Sequence, residues 1–75
     1  MGRIKLGSRV SIRDLSTNEI MNYTLVSSWE MNLRESKISV DSPIGMAIID
    51  RASGEHVEVQ APAGILRYRI EKVDS

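Results

Sequence analysis

The sequence predicts an α+β domain: an antiparallel sheet of four to five strands packed on one short helix, in the order β-β-β-α-β-β. Three observations lead there. Apolar and polar residues alternate near both ends of the chain, the period of a strand with one buried face. Between them, Ser42-Pro43 opens a short run whose apolar residues fall at helical spacing. Pro62-Ala63-Gly64 then separates two alternating runs, as a hairpin turn would.

Near the start, Ile4, Leu6, Val10 and Ile12 occupy even positions, while Arg3, Lys5, Arg9 and Arg13 occupy odd ones. This is a strand pattern, with Gly7 marking either a bulge or the true strand start. Residues 14–19, DLSTNE, are rich in side chains that bond nearby backbone and therefore read as a turn. A second strand spans about Met21 to Val26, with Met21, Tyr23 and Leu25 on one face. So short a connection predicts antiparallel pairing. Residues 27–36, SSWEMNLRES, follow neither period and read as a loop with one helical turn.

Lys37 to Val40 reads as a short strand. Ser42 suits the N-cap of the following helix, because its oxygen can accept a bond from a first-turn amide. Pro43 suits the first helical position, where a missing N–H costs nothing. Ile44, Ala47 and Ile48 should face the sheet, and the helix should run to about Arg51, with Gly54 as its stop. So short a helix persists only through tertiary packing. Val57, Val59 and Ala61, then Leu66, Tyr68 and Ile70, form the closing hairpin. The expected core is Val10, Ile12, Ile44, Ile48, Val57, Val59, Tyr68 and Ile70, over one domain spanning 1–75.

Size and charge bound the function. A chain of 75 residues lies near the lower end of what folds unaided. It has no cysteine, so neither disulfides nor thiolate-bound zinc can reinforce the core. Ten basic residues balance ten acidic ones, and no global field draws the chain toward nucleic acid or anionic lipid. Apolar runs are too short for a membrane span, and no secretory pattern opens the chain. The expectation is a soluble, cytoplasmic domain, alone or within a longer protein.

Catalytic constellations are sparse. His56 is the only histidine and has no spaced partners for a metal site, so it reads as an exposed turn residue. Ser42 without a positioned base is a cap rather than a nucleophile. Asp41, just before the helix, complements the helix dipole without further function. The glycines match no phosphate-binding loop. The basic odd-numbered face of the first strand could track phosphates, but no aromatic residues are interleaved with it. A solvated sheet face is the preferred reading. Trp29, in a polar loop, serves either as a core plug or as an exposed anchor; in so small a domain the structural role is the commoner.

Three segments carry a family resemblance: K-I-S-V-D-S-P-I-G-M-A-I-I from Lys37, G-E-H-V-E-V-Q-A-P-A-G from Gly54, and Y-R-I-E-K-V from Tyr68. Their order and spacing resemble the C-terminal domain of the GreA/GreB transcript-cleavage factors. The opening G-S-R-V-S-I and the Y-T-L-V of Tyr23 to Val26 are in register with that family, so the resemblance covers nearly the whole chain. It implies an FKBP-like fold and binding to bacterial RNA polymerase. Docking would occur at the rim coiled coil of the secondary channel, through the segment matching Asp41, Ser42 and Pro43. In the family a separate N-terminal coiled coil carries the acids that assist transcript cleavage at the polymerase metal site.

These residues contain no long heptad pattern. The resemblance therefore implies a docking module with no catalytic residues, metal or cofactor of its own. Neither a membrane nor direct nucleic-acid contact is expected of this domain alone. Anti-cleavage relatives and Rnk-type regulators of nucleoside diphosphate kinase share the domain, so the effect on transcription is left open. A second reading takes the FKBP-like fold at face value and proposes a peptidyl-prolyl isomerase. Such a pocket is lined by several aromatics, and with no phenylalanine this chain offers only Tyr23, Trp29 and Tyr68. Docking leads.

Overall fold

The computed structural model describes residues 2–74. Its strands are β1 (Arg9–Asp14), β2 (Ile20–Val26), β3 (Lys37–Ser39), β4 (His56–Ala61) and β5 (Gly64–Asp74), with one helix, α1 (Pro43–Ile48). The strands form one five-stranded sheet in the order β3-β2-β1-β5-β4, and α1 packs on β4 and β3. The α+β class and the element order agree with expectation. Pairing does not agree throughout.

β1 with β2, β1 with β5 and β4 with β5 are antiparallel, but β2 and β3 are parallel, from Thr24↔Lys37 to Val26↔Ser39. The cause lies in residues 27–36, which form two 3-10 turns, Ser28–Glu30 and Leu33–Glu35, rather than one. Asn32 caps the second turn, its side chain accepting from the amides of Arg34 and Glu35. These turns carry the chain back along β2, so that β3 starts beside Thr24 and runs the same way. A parallel neighbour needs this kind of crossover rather than a tight turn.

The first connection is simpler. Asp14 Oδ1 accepts from Ser16 Oγ at 2.7 Å and from the Ser16 amide at 2.8 Å, a side-chain turn that reverses the chain. The Ser16 hydroxyl, with its amide, holds the Asp14 carboxyl below its usual range. Asn18 completes the turn with φ +66°, a conformation asparagine tolerates.

The alternation at the start of the chain breaks at Gly7. Gly7 has φ +91° and sits in a turn, so the strand proper begins at Arg9. Leu6, expected to share the buried face, is 53% exposed. Ile4 is buried by another route: it exchanges backbone hydrogen bonds with Asp50 and Arg51, at 2.7 and 2.8 Å. That exchange also shortens α1. The helix ends at Ile48, Ile49 leaves helical geometry, and Asp50 takes the left-handed conformation at φ +65°. Gly54, expected to stop the helix, instead serves the turn into β4, its amide donating to the Ile70 carbonyl.

Between β1 and β5 the register shifts: Ser11 faces Lys72, yet Ile12 faces Ile70. Glu71 is the extra residue of a β-bulge, and a bulge reverses the side-chain alternation beyond it. Even positions of β5 face the core up to Ile70; afterwards Val73 packs there instead. Glu71 turns outward and accepts from Arg69 Nε at 2.6 Å and Arg13 Nε at 3.1 Å. Arg69 first, then Arg13, holds its carboxyl below the ordinary range.

The core comprises Ile4, Val10, Ile12, Leu25, Ile38, Ile48, Val57, Val59, Tyr68 and Ile70. Of the residues expected there, Ile44 is only half-buried, while Ile4, Leu25 and Ile38 join. Burial pushes the Tyr68 hydroxyl pKa up.

Ile48 is the helix's fully buried anchor on the sheet. Ile48→Ala should lower stability by about 2–5 kcal/mol, because packed neighbours close such a cavity only partly. Urea unfolding of the variant against the parent measures it; a loss of a few tenths would place the wrong helix face inward.

Candidate functional site

The residues singled out at the strand–helix junction, Asp41, Ser42 and Pro43, lie together in one braced corner. Ser42 Oγ accepts from the Gly45 amide at 3.0 Å and donates to the Ser39 carbonyl at 2.7 Å. The Ser39 hydroxyl accepts from the Asp41 amide at 2.9 Å. Ser42 thus satisfies a first-turn amide that a helix start leaves open, and Ser39 holds the residue before the cap. Ser39 is buried and Ser42 half-buried, whereas Asp41 and Pro43 are exposed. The hydroxyls point inward; the acid and the proline ring are left for solvent. Among the described residues, no cation lies in ion-pair range of Asp41.

Gly45 belongs to this corner, although nothing in its sequence context singled it out. A Cβ there would overlap the Ser39 carbonyl oxygen, so the helix can approach β3 this closely only with glycine. Ser39 was equally silent as a sequence feature. Both roles depend on one backbone passing over another.

Beside the corner runs an apolar groove of about 300 Å³, lined by Ile38, Pro43, Ile44, Val59, Ala61 and Leu66. It exists because α1 is only six residues long and does not cover the whole apolar side of the β4–β5 hairpin. Leu66, paired with Val59 on the core side, is left 39% exposed there. The lining residues are aliphatic, with only Ser42 and Gln60 contributing polar groups. Such a surface suits aliphatic side chains from a partner, with the Asp41 carboxylate at its edge to meet a cation.

The remaining candidates lie elsewhere. His56 is the exposed first residue of β4, opposite Arg69. Among the described residues no group of three His, Cys, Asp or Glu side chains is placed to hold a metal. Trp29 is 84% exposed on the first 3-10 turn, so the core-plug reading is wrong. None of the three residues of that turn is buried. Among the described residues no helix is long and apolar enough to cross a membrane.

Comparison with known proteins places this geometry. The family model described as "Transcription elongation factor, GreA/GreB, C-term" matches residues 1–75. Transcription elongation factor GreA of Dehalococcoides mccartyi is 42% identical over 71 residues, 95% of this chain and 46% of that protein. GreA of Nitrosococcus oceani is 39% identical over 72 residues, again 46% of its length. The chain therefore spans about half the length of the curated relatives it matches. Among solved structures, Thermus aquaticus Gfh1 superposes with a TM-score of 0.86 at 29% identity, over 100% of this chain and 50% of that one. The GreA/GreB factor of Nitrosomonas europaea superposes at 0.78 and 33% identity, over 96% of this chain and 60% of that one.

Ser42→Ala removes both bonds of the cap hydroxyl and should cost about 0.5–2 kcal/mol of stability, as N-cap losses do. Thermal or urea unfolding measures it, and a variant as stable as the parent would mean the cap is dispensable.

Proposed function

The chain belongs to the GreA/GreB transcription elongation factor family, through its C-terminal domain, and from that premise we propose that it docks on bacterial RNA polymerase without catalysis of its own. The observation that carries the reading is the exposed Asp41 and Pro43 beside an aliphatic groove. A helical partner can seat one or two aliphatic side chains in a groove of this kind while a flanking cation meets Asp41. The rim coiled coil of the polymerase secondary channel is the proposed partner, and the cytoplasm the place of action. Because Ser39 and Ser42 already fix the corner, little ordering is left to be done on binding. An isomerase reading is less well served, since the groove has no aromatic lining.

The 75-residue chain, its folded variants and purified polymerase are sufficient for a test. Asp41→Ala or Pro43→Ala should weaken binding about tenfold, equivalent to about 1.4 kcal/mol, because interface energy concentrates in a few residues. Unfolding curves taken in parallel separate docking from stability. If both variants fold and bind as the parent does, the corner is a helix cap only. The same chain added to backtracked polymerase should leave transcript cleavage at its intrinsic rate, since among the described residues no cluster of acidic side chains is placed to hold a metal. Stimulated cleavage would overturn the non-catalytic reading.

A further inference from the structure

The side of the sheet away from α1 has its own chemistry. Across strands, Lys37 faces Thr24, Thr24 faces Arg9 and Arg9 faces Asp74; in the next row Asn22 faces Ser11, and Ser11 faces Lys72. Over these rows lies a cleft of about 620 Å³, whose lining includes Arg9, Ser11, Asn22, Thr24, Lys37 and Lys72 together with the acids Glu35 and Asp74. Its lining counts three cations against two acids, a net of +1, on a chain with ten of each and no net charge.

The hydrogen bonds sharpen this. Ser11 Oγ donates to Asn22 Oδ1 at 2.6 Å, which occupies that oxygen and leaves the Asn22 amide N–H groups as its donors. Thr24 adds a hydroxyl beside them. Among the described residues Arg9 has no carboxylate within ion-pair range, although Asp74 stands opposite it. Asp74 reaches Lys72 instead, at 3.7 Å, and Glu35 reaches Lys37 at 3.0 Å. Both pairs are solvent-exposed, with side chains 69%/61% and 42%/59% accessible. Exposed pairs of this kind are worth at most about 1 kcal/mol, so a stronger anion can exchange with either acid. Lys37 and Arg9 lie two strands apart, roughly 10 Å at ordinary strand spacing, and their long side chains can converge on one group between them.

We propose that this cleft binds a phosphate or diphosphate group, with Arg9 as the central ligand, Lys37 and Lys72 flanking it, and Asn22 and Thr24 donating from the floor. The site lies on the opposite side of the sheet from the docking corner and is independent of polymerase binding. Tyr23 is the one aromatic residue at the cleft, but it pairs with Val10 and packs against the core on the other face of the sheet, so the cleft offers an oxyanion cradle and no stacking platform. The ligand class is therefore a compact phosphate group rather than the stacked bases of a single strand.

Titration of the isotope-labelled 75-residue chain with sodium pyrophosphate, at constant ionic strength set with chloride, tests this by NMR. Amide and side-chain signals of Arg9, Asn22, Thr24 and Lys72 should move saturably, with a Kd below about 10 mM. Arg9→Ala should weaken binding at least about tenfold, Lys72→Ala should weaken it as well, and Arg3→Ala, outside the cleft, should not. Arg9 and Lys72 are exposed, so both variants should keep the parent's unfolding midpoint. A second arm uses a single-stranded DNA oligonucleotide. Binding of the oligonucleotide without pyrophosphate would overturn the compact site in favour of a backbone track. Shifts that do not saturate, that chloride reproduces, or that survive Arg9→Ala would reduce the face to a solvated one.

Discussion

The pairing of β1 with β5 is the constraint on which everything else rests. Take β5 away and β4 loses its only strand neighbour, while β1, β2 and β3 remain as a three-stranded fragment. At the centre of that pairing Ile12 faces Ile70, and both are fully buried. The helix needs this closure as well. Ile48 packs in one cluster with Ile12, Val57 and Ile70, which come from both halves of the sheet. Each half alone would leave α1 with half an apolar floor, and so short a helix does not persist without one. The bulge at Glu71 is part of the same arrangement. By reversing alternation it keeps Lys72 on the outer side and returns Val73 to the core, while Glu71 at the bulge joins Arg13 on β1 with Arg69 on β5.

The strand–helix corner at Asp41–Pro43 is braced from that floor. β3 is an edge strand held by β2 on one side, and α1 leans on β3 through a contact that only Gly45 permits. The hydroxyls of Ser39 and Ser42 then lock the turn between them. The cap and the outward surface use different atoms of adjacent residues, so one need not be given up for the other. The groove is the counterpart: a helix too short to cover its hairpin leaves apolar area uncovered beside a fixed edge.

Much of this was legible in the residues. Period-two alternation identified the buried faces of β1, β4 and β5 correctly, because burial on one side of a pleated strand requires it. The cap at Ser42-Pro43 was legible because capping is local chemistry. What failed was whatever depends on distant backbone. Leu6 is the local exception: it fits the alternation, but the neighbouring Gly7, already a candidate strand start in the sequence, turns the chain before the sheet begins. Arg51 fits a longer helix, but Ile4 claims the backbone of Asp50 and Arg51. Alternation carries no information on strand direction, so the parallel β3 was hidden. The site divided in the same way. Asp41, Ser42 and Pro43 stand consecutively and can be read; the groove is assembled from β3, α1, β4 and β5 and has no signature in any one of them.

The position of β5 also bears on how the chain is made. It is the last of the five strands in chain order, yet it sits between β1 and β4. During synthesis on a ribosome, β1, β2 and β3 emerge with no partner on the inner edge of β1, and β4 emerges with no strand to join. The sheet cannot close until residues 64–74 have cleared the exit tunnel. Folding is then governed by contacts between β1 and β5, which are far apart in sequence and slow to form. Until that moment the nascent chain presents an open strand edge with an apolar face, the kind of surface that chaperones shield.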